Sequence, residues 1–297
     1  MNTKNEGFEL VDVRISDAFS RDLGATLRQI RTESGARFGD LLEALEWSAG
    51  KLSKLERGTR GASDRDIFLL LGHLQANKDQ RARVEEALAT PARSGFVRRH
   101  ERGGASSGLL AHEHMAQVVT VYETVTVPTT ARTWEYAREL TESEELATQQ
   151  AKRATQARTR ITASLPQRWV YYLHELALHA VVGGPKVMRD QLLNLVMLTN
   201  THNTVVRIVP LSVPMDGDLQ YPGTFMSMGP GAKRVVVVEG DTATAFHDDA
   251  GSLEAFQARM DKLDEVALDV DGSRAVLARW ADSYDQRIPR DNTDSER

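Results

Sequence analysis

The sequence contains no cysteine, which excludes disulfide bridges and thiolate metal sites and fits a reducing compartment. It also contains no apolar run that approaches the roughly 18 residues needed by a membrane-spanning helix. Its first residues, MNTKNEGFELVDV, lack the basic start and apolar stretch of a signal peptide. We therefore expect a cytoplasmic protein without a membrane segment.

An excess of positive charge, which would suggest a nucleic-acid partner, is missing as well, because the net charge is −5. The charge is unevenly distributed, however. Residues 1–105 carry 18 Lys and Arg against 16 Asp and Glu, whereas residues 106–297 carry 19 against 26. Within residues 47–61, four basic residues stand against one acid. A local positive patch is what contact with phosphates requires, so this segment is a candidate nucleic-acid contact.

The length of 297 residues favours two domains. After an N-terminal arm at 1–19, apolar residues at helical spacing predict about five short helices over residues 20–90. Residues 91–108 hold four Gly, three Ser, one Pro and four Arg, a composition typical of a linker. A second domain is predicted over 109–284, followed by a polar tail at 285–297 that we expect to be disordered.

The second domain mixes helical and strand-like patterns. Helices are predicted over residues 109–120, 133–163, 185–198, 252–268 and 272–284. Strands are predicted at Trp169–Leu173, Val205–Pro210, Gly223–Met228, Arg234–Glu239 and Thr242–His247. The expected fold class is therefore an all-α helix-turn-helix domain followed by an α+β domain with a small, mostly antiparallel sheet of 4–5 strands. The basic stretch Lys152–Arg160 is expected on a solvated helix face.

Residues 37–58 have the spacing of two short helices joined by a tight turn. Leu41, Leu42 and Leu45 lie on the inner face of the first helix, and Leu52 and Leu55 on that of the second. Ser48, at the end of the turn, can cap the second helix. Gly58 can end that helix in a left-handed conformation.

The outer face of this second helix carries small and basic side chains. In the major groove, the N-terminal residues of such a helix reach base edges, and lysines donate to guanine or phosphate. Periodicity alone leaves open an ordinary helical bundle with a charged exposed face. The outer residues are Gly50, Lys51, Ser53 and Lys54.

The run KLSKLERG, preceded by LGATLRQIRTESG and a Trp-Ser pair, resembles the xenobiotic-response-element (Cro/repressor) type of helix-turn-helix. The resemblance implies that Glu56 and Arg57 pair to fix the end of the recognition helix. Arg60, which extends the basic segment, is included as a further DNA contact. The residues that the resemblance places against DNA are Arg37, Ser48, Gly50, Lys51, Ser53 and Lys54.

Three features depart from that family. Arg37 cannot cap the first of the two helices, and Glu46 stands in the turn where glycine is frequent. Gly39 and Gly50 lie inside the predicted helices, where each glycine costs about 1 kcal/mol of helix stability relative to alanine. We therefore expect DNA binding to depend on a dimer and on the second domain rather than on this unit alone.

The remainder of the chain resembles the C-terminal domain of WhiJ-like actinobacterial developmental regulators. The resemblance is carried by ELALHAVVGGPKVMRDQLLNL, NTVVRIVPLS, GTFMSMG, RVVVVEG and FQARMDKLDEVALDVDGSRAVLARW. It implies a small partner protein of the BldB type. The family's Gly-Leu-Leu-Gln segment is absent from residues 127–138, which puts in doubt any contact made there by relatives.

No pattern typical of catalysis or of a cofactor site is present, so we expect neither an enzyme nor a bound cofactor or metal. His174 and His179 are five residues apart, whereas a zinc helix needs a spacing of four. The weaker candidates are His112 with His114, His247-Asp248-Asp249, Asp216-Gly217-Asp218 and Gly183-Gly184-Pro185.

These observations predict a homodimeric, nucleoid-associated transcriptional regulator that binds double-stranded DNA. Its acidic second domain would dimerise or receive a signal from a small protein or a ligand. Two alternatives remain open: a module whose helix-turn-helix contacts protein, and an enzyme tethered to DNA.

Overall fold

The computed structural model describes residues 16–59, 63–89, 95–102, 104–141, 143–162, 167–217 and 219–289. They divide into two units. The first comprises Met1–Pro91 with Gly229–Lys233, and the second Ala92–Met228 with Arg234–Arg297. Residues 1–15 of the predicted arm and 290–297 of the predicted tail lie outside the described residues. The first helix begins at Ala18 and the last ends at Asp285.

The first unit contains the five helices that the periodicity predicts. They are α1 (Ala18–Glu33), α2 (Phe38–Leu45), α3 (Ala49–Glu56), α4 (Asp64–His73) and α5 (Lys78–Ala89). Their apolar faces meet in one core, which includes Leu27, Ile30, Leu52, Ile67 and Val84. Helices as short as α2 and α3 are not stable alone, so this core holds them in place.

Side-chain caps set where these helices begin. The Oδ1 of Asp17 accepts a hydrogen bond from the Ser20 N–H at 2.7 Å and starts α1. Ser63 caps α4, because its Oγ accepts a hydrogen bond from the Asp66 N–H at 3.2 Å. Each cap satisfies a backbone donor that the first helical turn leaves without a partner.

The second unit is built on a mixed sheet of seven strands, and the prediction of 4–5 mostly antiparallel strands is wrong. The strands follow the order β1-β7-β6-β5-β2-β3-β4. The pairs β2–β3 and β3–β4 are parallel, and the other four are antiparallel. Their bounds are β1 (Gly95–Arg99), β2 (Val118–Glu123), β3 (Arg168–His174), β4 (Thr204–Val209), β5 (Gly223–Ser227), β6 (Val235–Glu239) and β7 (Ala243–His247).

The two strands missed from the sequence are β1 and β2. Strand β1 lies inside the segment 91–108 that was predicted as a linker, and that prediction is wrong for residues 95–99. It is ordered by β7, which is distant in the chain, and Phe96 stacks on Phe246 with ring centroids 4.8 Å apart. The first three residues of strand β2 overlap the helix predicted over 109–120, which actually ends at Met115.

Helices α6 to α12 complete the second unit. Their bounds are α6 (Ser107–Met115), α7 (Trp134–Glu139), α8 (Glu144–Thr162), α9 (Leu176–His179), α10 (Pro185–Thr199), α11 (Ala250–Val266) and α12 (Val270–Asp285). The single helix predicted over 133–163 is therefore two helices, with the first ending at the cap Leu140. Pro185 stands in the first turn of α10, where its missing N–H costs no helical hydrogen bond.

These helices connect and cover the sheet. Two parallel strands need a crossover, and α7 with α8 provides one between β2 and β3, while α9 with α10 provides one between β3 and β4. Helix α11 packs through Phe256, Met260 and Leu263 on a core that includes Tyr122 and Tyr172. Among the described residues, no helix has both the length and the apolar character required to cross a membrane.

Candidate nucleic-acid interface

The turn between α2 and α3 is closed by a residue in the left-handed conformation. Glu46 has φ 52° and ψ 39°, and its N–H bonds the Glu43 carbonyl oxygen at 3.2 Å. A non-glycine residue is strained there, as the sequence indicated. The next residue, Trp47, packs against the core of the first unit, and this packing holds the turn.

Ser48 begins α3 in the way the sequence predicts. Its Oγ accepts a hydrogen bond from the Lys51 N–H at 3.2 Å. Leu52 and Leu55 then lie buried in the core, so the opposite side of the helix faces outward. The cap and the two leucines together fix both the start and the rotation of α3.

Two glycines bring the end of α3 against the backbone of α1. A Cβ on Gly24 would lie 2.6 Å from the Leu55 carbonyl oxygen, closer than any side chain tolerates. Gly58 has φ +61°, as predicted for the residue that ends this helix. A Cβ on Gly58 would lie 2.2 Å from the Ser20 carbonyl oxygen. This close backbone contact sets the position of α3.

An ion pair fixes the same end of α3, but with a different partner from the one expected. The Nε of Arg31 lies 2.5 Å from Glu56 Oε1, and its Nη2 lies 3.1 Å from Oε2. The expected pair of Glu56 with Arg57 is therefore wrong, since the Arg57 side chain is exposed and its Nε donates to the Ser53 carbonyl oxygen. Arg31 lies on α1, so the pair links two helices rather than two neighbours in sequence.

Five of the seven residues predicted to contact DNA lie on α3 or at its N-cap. At the helical 100° per residue, Gly50 and Lys54 lie about 40° apart, on the side opposite Leu52. No side chain at Gly50 stands between the helix backbone and solvent, and an added Cβ would meet only the Ser48 Oγ at 4.0 Å. Ser48, Gly50 and Lys54 are exposed, and Lys51 and Ser53 are half-buried.

Arg37 and Arg60 are the other two predicted contacts. Arg37 is exposed at the start of α2, and its side chain makes no capping hydrogen bond, as predicted. Arg60 lies outside the described residues. Arg37 therefore adds an exposed positive charge at a second helix N-terminus of the same unit.

Lys51 has partners that the sequence did not reveal. Its Nζ lies 2.7 Å from Asp66 Oδ1 on α4 and 4.1 Å from the centroid of the Trp47 ring. The hydrogen bond from Lys51 is the main cause that lowers the pKa of Asp66. Asp66 lies in the first turn of α4, and its contact with α3 follows from how the two helices pack.

The histidines of the second unit lie at separate places. His174 ends β3, and burial lowers its pKa, while His179 ends α9 and packs edge-on against Trp280. His112 is buried, with its Nδ1 2.6 Å from the Gly108 carbonyl oxygen. Among the described residues, which exclude Asp218, no three His, Asp or Glu side chains are grouped so that they could hold a metal ion.

Models of known protein families match both units. A family model described as "Helix-turn-helix domain" (HTH_31) matches residues 22–84, and one described as "Domain of unknown function (DUF5753)" matches residues 107–279. No curated protein matches the sequence. One similar solved structure is that of TrmBL2, an archaeal chromatin protein that shows a novel mode of DNA binding. It is 11% identical over 70% of this chain and 69% of that chain, with a TM-score of 0.32.

Proposed function

The chain belongs to the family of the domain of unknown function DUF5753, and because a helix-turn-helix domain precedes that domain, we propose that the protein is a DNA-binding transcriptional regulator. The helix-turn-helix domain at its N-terminus is the part that binds DNA. Recognition helix α3 enters the major groove, and the second unit regulates this binding. The protein acts by binding and catalyses no reaction of its own.

The observation that carries the proposal is the outward side of α3. Its inner side is fixed by Leu52 and Leu55, while its outer side presents backbone at Gly50 and an exposed ammonium group at Lys54. An exposed glycine lets the helix approach a groove closely, and a lysine can donate to guanine or to phosphate. The proposed DNA contacts are Arg37, Ser48, Gly50, Lys51, Ser53, Lys54 and Arg60.

Lys51 has to change partner when DNA binds. In the free protein its ammonium group is bonded to Asp66. A phosphate that takes this ammonium group leaves the Asp66 carboxylate near the DNA, which opposes binding. This competition supports the expectation that one copy of the unit binds weakly.

We propose further that the protein is a homodimer that works on the nucleoid in the cytoplasm. One short recognition helix reads few base pairs, so useful specificity requires two half-sites. The resemblance to Cro/repressor-type helix-turn-helix units and to WhiJ-like developmental regulators supports this assembly. It also supports a small partner protein of the BldB type as one source of the signal.

Binding to the DNA upstream of the protein's own gene tests the proposal. Fluorescence anisotropy is measured at about 50 mM and about 200 mM salt, where phosphate contacts lose affinity by counterion release. We expect binding that weakens with salt. Lys54→Ala should weaken it further and, if Lys54 contacts a phosphate, reduce the magnitude of the salt slope by about 1.

A matched control is Arg83→Ala, which removes an exposed positive charge from α5, away from α3. Its DNA affinity should stay within about twofold of the parent protein, a difference of less than half a kcal/mol. If the folded protein binds neither its upstream region nor unrelated DNA at low salt, the proposal fails. The alternative that the helix-turn-helix contacts protein would then be favoured.

A further inference from the structure

The second unit contains a cavity of about 510 Å³. Its walls include Glu123 at the end of β2, Glu239 at the end of β6, Arg132 ahead of α7 and Arg153 on α8. Strands β2 and β6 both run antiparallel to β5, so they point the same way and both glutamates lie at one edge of the sheet. The volume lies within the range of small-molecule sites, roughly 300–1,000 Å³.

Arg153 is held entirely by carboxylates. Its Nε lies 3.0 Å from Glu113 Oε1, and its Nη1 lies 2.6 Å from Glu239 Oε2. Burial alone would lower the pKa of Arg153, but these two carboxylates raise it well above its usual range. The expectation that residues 152–160 form a solvated face is wrong for Arg153, whose side chain is only 8% exposed.

Among the described residues, Arg132 is bonded only to neutral groups. Its Nε donates to the Val127 carbonyl oxygen at 2.7 Å, its Nη1 to Gln150 Oε1 at 2.8 Å and its Nη2 to Thr126 Oγ1 at 3.4 Å. Burial lowers the pKa of this guanidinium group. Three neutral acceptors orient Arg132 at the cavity wall without cancelling its charge.

Glu123 is the carboxylate without a direct partner among the described residues. Two guanidinium groups lie near it, on Arg132 and Arg153, but Arg153 is bonded to the carboxylates of Glu113 and Glu239. Glu123 is half-buried, so water solvates its carboxylate only in part. Burial raises the pKa of Glu123 to about 7, an effect to which Glu239 adds and which the two arginines oppose.

A third cation lines the cavity on Lys152, whose side chain is exposed, so water solvates its ammonium group. His100 has a weak electrostatic effect on Glu239, which is itself exposed. A half-buried carboxylate without a direct partner is stabilised by a proton or by a bound cation. An anionic ligand would instead be repelled by it.

We infer that this cavity binds a small organic cation, a primary amine whose ammonium group contacts the Glu123 carboxylate. The amide and hydroxyl groups around it give hydrogen bonds to the rest of the ligand, and Leu110 gives an apolar surface. These polar groups belong to Thr126, Thr129, Gln149 and Gln150. Only the further step, that such an amine is the signal received by the second unit, rests on the proposed function.

Calorimetry on the full chain at about pH 8, where Glu123 is ionised, tests the site. The probes are tyramine, putrescine and hexylamine, with tyrosol and para-hydroxyphenylacetate as neutral and anionic analogues of tyramine. We expect at least one amine to bind one site, and tyramine to bind at least about tenfold more tightly than either analogue if it is that amine. Failure of all three amines to bind, or preference for the anion, would overturn the inference.

Two further measurements connect binding to Glu123. Glu123→Gln should weaken amine binding at least about tenfold, while Glu135→Gln, an exposed glutamate on α7, should leave it unchanged. In the parent protein, affinity should fall as the pH drops below about 7, because Glu123 then takes up a proton. Circular dichroism checks that the Glu123→Gln variant is folded. If the folded variant binds the amine as tightly as the parent protein does, or if amine binding by the parent protein does not depend on pH, the proposed site is wrong.

Repeating the DNA-binding measurement with and without the bound amine separates the two proposals. A change in DNA affinity supports the signal role. Binding of the amine without such a change refutes the signal role and leaves the site intact. Failure of the protein to bind DNA at all refutes the proposed function, while the calorimetric result for the cavity still stands.

Discussion

Replacing Glu123 by glutamine should remove a pH-dependent loss of stability from the second unit. Burial raises the pKa of this carboxyl from its ordinary value of 4.5 to about 7, with Arg132 and Arg153 opposing and Glu239 adding to the shift. Between these two pH values the folded protein retains a proton that the unfolded chain has already released. Stability therefore falls as the pH rises through this window.

The size of the effect follows from the shift. Each pKa unit corresponds to about 1.4 kcal/mol, so the ionised form destabilises the folded unit by at most about 3.5 kcal/mol above pH 7. Because the side chain is half-buried by accessible surface, water reduces this figure, and about 1–3 kcal/mol is expected. Glutamine carries no charge at any pH and so avoids the cost.

Urea unfolding followed by tryptophan fluorescence, between about pH 4.5 and pH 8, measures the difference between Glu123→Gln and the parent protein. This difference should be small at the acid end and should grow in favour of the variant as the pH rises. Glu135→Gln should show no such trend, because Glu135 is exposed. A difference that is flat with pH, or that grows in the other direction, would refute the raised pKa of Glu123.

Three further predictions concern the helix-turn-helix unit. Gly24→Ala places a methyl group against the α3 backbone, so the free energy of unfolding measured in urea should fall by about 1–3 kcal/mol. Fluorescence anisotropy should show a loss of DNA affinity. Unchanged stability and affinity would show that the contact is not tight. Glu56→Gln weakens the ion pair with Arg31 and should cost about 1–3 kcal/mol in the same unfolding assay, with a null result arguing against a structural role. Asp66→Asn removes the anion that holds Lys51, so affinity for the upstream DNA should rise about threefold to tenfold, and a fall in affinity would show that Asp66 orients Lys51 for binding.

The interface residues could be predicted because their signals are local. Ser48 caps α3 through a hydrogen bond that spans three residues, and Gly58 takes the left-handed conformation that only a residue without a Cβ adopts easily. Leu52 and Leu55 give the rotation of the helix by their spacing alone. Each of these features depends on backbone geometry within one or two helical turns, which the sequence contains in full.

The partners across helices could not be predicted in this way. Glu56 pairs with Arg31 rather than Arg57 because α1 packs on α3. Lys51 bonds Asp66 because α4 packs nearby. Charged side chains have many possible partners of opposite sign in a sequence. Which one is used depends on distances that exist only after the helices have assembled.

The same distinction separates the two units. The sequence by itself determined the five helices, the Ser48 cap and the outward side of α3, because helical spacing and capping are properties of neighbouring residues. Only the tertiary structure decided that residues 95–99 form an edge strand and that Arg153 is buried between Glu113 and Glu239. Strand pairing and buried ion pairs join residues far apart in the chain, so their free energy has no local signature.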